Sequence, residues 1–153
     1  MLNSCLKIVF KDDVYKIILG LSFIFSGCSI YLLFRSSELN IYQWFGGIGM
    51  SECVDSLRCA VIGWSVPDFV KYNLPDGLYC AAYILLIDAI WGRRNGIAKY
   101  VFISIVPFAT IICEILQYLG IVNGTFDVCD LICYAIPILI YGLIEFKKKV
   151  FTN

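Results

Sequence analysis

The sequence contains no histidine. That absence removes His-based general-base catalysis and every His-ligated metal site. Neither charge is in surplus, since 12 basic residues balance 12 acidic ones. A nucleic-acid partner would need a basic face, and nothing here points to one. Charge is scarce altogether, at 16% of residues, against 60% hydrophobic and 16% aromatic. The 8 cysteines include no Cys-x-x-Cys, and the chain has no internal repeat and no low-complexity segment. With a mean hydropathy of +0.82 over 153 residues, it falls in the membrane class.

Four segments read as membrane spans: 14–34, 74–91, 100–119 and 128–144. Each has about the 17–25 residues needed to cross ~30 Å of hydrocarbon as a helix. Helices are the spanning form that satisfies every backbone group within its own segment. The expected fold is therefore all-α: an integral-membrane four-helix bundle formed by residues 1–153 as a single membrane domain. Phe25-Ser26-Gly27-Cys28 resembles a lipoprotein cleavage box. The apolar run continues through Phe34, however, and Asp12 and Asp13 interrupt the basic lead, so the segment is kept as a helix.

Basic residues set the expected orientation. Lys7, Lys11, Lys16, Arg93, Arg94, Lys99, Lys147, Lys148 and Lys149 share one side of a four-span bundle, leaving Arg35, Arg58 and Lys71 on the other. The positive-inside bias places both termini in the cytoplasm, with a bacterial inner membrane as the setting. The loop 35–73 then faces outward, as does the turn 120–127. Within that loop Val54, Leu57, Val61 and Ile62 recur at helical spacing behind Ser51, which fits an N-cap. Tyr42, Trp44, Phe45, Trp64, Phe69 and Tyr72 surround them, as aromatics do at headgroup level. One or two short surface helices are predicted there. Gly46, Gly47 and Gly49 break the chain before them, and Pro67 and Pro75 fit first turns of later helices. Pro107 and Pro137 lie inside the third and fourth spans, where each tends to kink its helix and a pair of kinks can open room for a ligand.

The polar residues near the outer surface are the candidate site. Glu114 and Gln117 share a face at i and i+3 near the end of the third span, and Asp127 and Asp130 do the same at the start of the fourth. The short turn between these spans makes them neighbours, so all four side chains fall at similar depth, and Asp76 starts the second span on that side. Asp127 and Asp76 also fit simple helix caps, with Asp130 favoured by the helix dipole. Glu114 has no such explanation, because it sits near a helix C-terminus where the dipole disfavours an anion. It is expected to face Asp130 or Gln117 across a wet pocket that binds a membrane lipid or other amphiphile. Asp88, near the inner end, is expected to pair with Arg93 and Arg94.

Glu114-x-x-Gln117, an outward turn, then Asp127-x-x-Asp130 resembles the C-terminal signature of the VanZ-like membrane family, over roughly residues 74–145. Asp76 and Tyr83 are similar to an Asp and a Tyr on that family's preceding span. The family's His falls near Cys80, its Asn near Tyr134 and its Gly near Pro137, and its Arg in the outward turn has no counterpart here. The resemblance implies a cell-envelope role connected with glycopeptide-antibiotic resistance, with Asp76, Tyr83, Glu114, Gln117, Asp127 and Asp130 as ligand-binding residues. It implies no established reaction, and neither a metal nor a cofactor is expected.

Two other functions fit the sequence. Cys53 and Cys59 in the outer loop, a possible disulfide, together with Cys129 and Cys133 on the fourth span resemble the cysteine arrangement of membrane thiol–quinone oxidoreductases. Cys129 and Cys133 are spaced i, i+4, however, which meets disulfide geometry poorly. Cys5, Cys28, Cys80 and Cys113 read as small buried hydrophobes. The chain would alternatively serve as a non-catalytic subunit packed against another membrane protein. The orientation is directly testable: an impermeant thiol reagent added outside should label Asn40→Cys and spare Asn153→Cys in a background cleared of native cysteines. Equal labelling, or the reverse, would move the polar cluster to the cytoplasmic face.

Overall fold

A computed structural model describes the backbone of residues 2–38, 40–92, 94 and 96–152, and side chains over 12–38, 40–92, 94 and 96–150. Arg93, Asn153 and the side chains of Cys5, Lys7 and Lys11 lie outside the described residues. The chain forms α1 (Leu2–Phe34), α2 (Asn40–Gly47), α3 (Ser51–Val61), α4 (Asp68–Tyr72), α5 (Leu74–Trp91), α6 (Ile97–Tyr118) and α7 (Val128–Thr152), with no strand among the described residues. Four helices are long and apolar enough to cross a membrane, over Asp12–Phe34, Leu74–Trp91, Ile97–Tyr118 and Val128–Val150. The four expected helices are thus present, with the last one longer than the predicted 128–144. Its extension alternates Phe146 and Val150 with Lys147–Lys149, whose stems can lie along apolar surface while their heads reach water.

Helix α5 packs against α1, α6 and α7. Its buried residues, Pro75, Cys80, Ala82, Ile84, Asp88 and Ala89, fall on more than one face, as a helix surrounded by others requires. Small residues set how closely its neighbours approach. A Cβ on Gly27 of α1 would meet the Tyr79 ring at 2.9 Å, and one on Gly77 would meet Cys133 Cβ and backbone oxygen of α7 at 3.2 Å. Such close contact is what holds helices together where lipid offers no hydrophobic gain. Outward-facing Ile18, Leu21, Phe25, Val101, Phe108, Leu139 and Leu143 remain exposed, as a lipid-facing surface would be.

At one end of the bundle, called here the basic end, Asp88 joins all four spans. Its Oδ1 accepts from Lys99 Nζ of α6 at 2.6 Å and from Tyr141 OH of α7 at 2.8 Å, and its Oδ2 meets Lys16 Nζ of α1 at 2.8 Å. Lys99 Nζ also donates to the Gly92 carbonyl at 3.2 Å. The expected partner Arg94 is instead exposed. The reason is depth: Asp88 is one turn inside α5, where cations from neighbouring spans arrive level with it. These contacts bring the start of α1 and the end of α7 to the same end.

The connection after α1 is helical in three pieces rather than one or two. Gly46 and Gly47 lie within α2, and the break falls at Gly49, whose φ of 76° suits glycine. Ser51 is the first residue of α3 instead of its cap, which is Met50 with no side-chain bond. Arg58 explains how this region docks. Its guanidinium donates to the Leu32 and Arg35 carbonyls at 2.8 Å each, satisfying acceptors at the C-terminus of α1 with a favourable charge. Tyr42 OH donates to Asp55 at 2.6 Å and ties α2 to α3.

Breaking the Asp88 node should be costly. Asp88→Ala strands Lys99, which is 3% exposed, and should destabilise the chain by about 3–5 kcal/mol in a detergent-unfolding titration. Lys16, whose side chain is 22% exposed, can reach water, so Lys16→Met should cost clearly less than Lys99→Met. Equal losses would show that the node does not act through buried charge.

Candidate functional site

The opposite, acidic end is built by local chain features. Helix α6 closes with a paired turn: the Gly120 N–H donates to Gln117 O at 3.0 Å and the Ile121 N–H to Leu116 O at 2.9 Å, with Gly120 at φ 69°. The chain then returns at once into α7, so the end of α6 and the start of α7 stand side by side. Gln117 packs on the backbone of this turn, where a Cβ on Gly124 would meet its amide at 2.6 Å.

Asp127 caps α7, its Oδ1 accepting the Cys129 N–H at 2.8 Å. Its Oδ2 accepts Asn73 Nδ2 at 2.7 Å, and the same amide donates to Asp130 Oδ1 at 2.8 Å. One buried asparagine between α4 and α5 therefore grips two carboxylates of α7. Asp76 does not cap α5. It accepts the Tyr31 hydroxyl of α1 at 3.2 Å. Glu114, 7% exposed, accepts the backbone N–H of Asp127 at 3.3 Å. The expected partners Gln117 and Asp130 share its groove, but the described bond is to the N-terminus of α7, where an anion is favoured.

These groups line an open groove of about 490 Å³. Asp76, Glu114, Gln117, Asp127 and Asp130 all border it, so five of the residues singled out from the sequence are brought together. Tyr83 is not among them. It lies about 10 Å along α5 from Asp76 and donates its hydroxyl to Phe102 O at 2.5 Å, beside the core residues Cys80, Ile84 and Ile103. In its place the groove has Tyr31, Asn73, Tyr134, Arg35 and the carboxylate Asp68, which the sequence reading missed. Arg35 is its one basic lining residue among those described, with its guanidinium 4.7 Å from the Tyr31 ring centre and 5.1 Å from that of Tyr72. The sequence signal for Arg35 was its position directly after the first span, level with the acidic cluster. Asn73 carried none beyond its place before Pro75.

The described cysteines are all free thiols. Cys53 and Cys59 are free and exposed on one continuous helix, which spaces them ~9 Å along its axis, beyond the ~7 Å that a disulfide tolerates. Cys133 is buried against Gly77, whereas Cys129 is exposed. Of the four cysteines read as buried, Cys80 is buried, Cys28 half-buried and Cys113 exposed. Among the described residues, no group of three or more Cys, Asp or Glu side chains is arranged to hold a metal ion.

The fold and this groove define a four-span helical membrane protein with an acidic cavity at one end. No protein-family model, curated protein or solved structure matches the chain.

Asp127 gives the site a pH signature. The Cys129 N–H, and after it the Asn73 amide, hold its carboxyl below the ordinary 3.8. A carboxylate depressed in the native state adds stability above its unfolded value and loses it as pH falls through the native value. The native chain should therefore melt above Asp127→Ala at neutral pH, with the gap narrowing below about pH 4. A gap that widens on acidification would contradict this linkage.

Proposed function

We propose that the acidic groove holds the polar head of a membrane amphiphile, and that the chain is a VanZ-like cell-envelope protein. In this reading the acidic end faces outward from a bacterial cytoplasmic membrane and both termini lie inside. The distribution of basic residues supports that orientation. The observation that carries the proposal is the groove's charge. Asp68, Asp76, Glu114, Asp127 and Asp130 line one cavity in which Arg35 is the basic residue among those described. A carboxylate as buried as Glu114 belongs beside a wet cavity or a bound partner. The ligand that complements such a lining carries an amine, with Arg35 on the wall to meet a phosphate or carboxylate of the same head.

Binding of phosphatidylethanolamine and phosphatidylcholine to the full chain in mild detergent tests this, because the first head has N–H donors and the second has none. The ethanolamine lipid should bind more tightly. Glu114→Gln should reduce its affinity about tenfold or more, the value of a charged hydrogen bond, without lowering the thermal midpoint. Equal affinity for the two lipids, or an unaffected Glu114→Gln variant, would sink the proposal.

A further inference from the structure

A second cavity, of about 300 Å³, lies between α6 and α7 on the half of the bundle toward the basic end. Ile84 of α5 forms part of its lining, with Ile103, Pro107 and Phe108 from α6 and Ile138 and Phe146 from α7. Two features keep it open. Pro107 interrupts the hydrogen-bond ladder of α6. Gly142 leaves a notch in α7, where an added Cβ would meet nothing within 4 Å.

The mouth of this groove is polar, lined by Tyr100, Glu145 and Lys149. Glu145 is matched by Lys148 Nζ at 2.6 Å and also accepts Tyr100 OH at 3.5 Å. Lys149 also lines the mouth, with its ammonium 5.5 Å from the Tyr100 ring centre and no ion pair among the described residues. An apolar slot of about 300 Å³ with an ammonium outside any described ion pair at its rim complements an acyl chain joined to an anion. Basic pockets between spanning helices take anionic heads for this electrostatic reason.

We infer that the α6–α7 groove is a binding site for an anionic glycerophospholipid, with an acyl chain along Ile103, Pro107 and Ile138 and the phosphate at Lys149. This site is separate from the acidic groove and stands or falls independently of it.

The test is native mass spectrometry of the full chain with phosphatidylglycerol, phosphatidylcholine and soluble glycerol 3-phosphate. Phosphatidylglycerol should bind most tightly, and glycerol 3-phosphate should fail to compete with it. Lys149→Gln should lower the preference for phosphatidylglycerol over phosphatidylcholine about fivefold, the value of one basic residue at a membrane surface. Gly142→Leu fills the notch, where an added Cβ meets nothing within 4 Å, so it should weaken both lipids while leaving their ratio intact. Ser104→Leu fills the groove from α6 and should do the same if Gly142→Leu does not fold. Undiminished phosphatidylglycerol binding in the filled variants would overturn the inference, as would an unchanged preference in Lys149→Gln. Effective competition by glycerol 3-phosphate would assign the site to a soluble anion instead.

Discussion

A single carboxylate, Asp88, sets the register of the bundle. Both of its oxygens are used, and its partners come from each of the other three spans. A charge at this depth is tolerated only when paired, so Lys16, Lys99 and Tyr141 must arrive level with it. That requirement fixes how far each helix slides along α5. Asp76 lies twelve residues back along the same helix, ~18 Å away, and so falls at the opposite end. The position of the acidic groove therefore follows from a node that takes no part in it.

The two ends handle charge differently. At the basic end Asp88 is surrounded by matching cations and sealed, with Asp88 and Lys99 each 3% exposed. At the acidic end five carboxylates share a cavity with one guanidinium among the described residues, and for all but Asp68, which pairs with Lys71, hydrogen-bond donors do the work that cations do elsewhere. Asn73 divides its amide between Asp127 and Asp130, Tyr31 serves Asp76, and the Asp127 N–H serves Glu114. These neutral donors hold the carboxylates in place without cancelling their charge, which leaves the cavity acidic. The zero net charge of the whole chain conceals this separation.

Glu114 shows how a local objection is met by tertiary structure. The dipole of its own helix opposes a carboxylate near the C-terminus. The tight turn at Gly120 brings the N-terminus of α7 alongside, and there an unsatisfied backbone N–H and a favourable dipole meet the same group. The sequence contained both halves of this arrangement, but their effect on one another depended on the turn geometry.

Much of the fold was legible because it rests on periodic chemistry. Four apolar runs of spanning length require four helices, since lipid leaves backbone groups no other partner. The clustering of Glu114, Gln117, Asp127 and Asp130 followed from helical spacing plus a short connection, both local properties. Contacts between distant segments were not legible. Asp88 met Lys16 and Lys99 rather than its sequence neighbour Arg94, Tyr83 turned to Phe102 rather than to Asp76, and Asn73 and Arg35 entered the groove from α4–α5 and α1. Hydropathy and spacing along one helix determine which segments cross the membrane and which side chains share a face. The rotation and slide of one helix against another decide which faces meet, and these depend on Gly27 against Tyr79, Gly77 against Cys133 and a buried carboxylate shared by four spans.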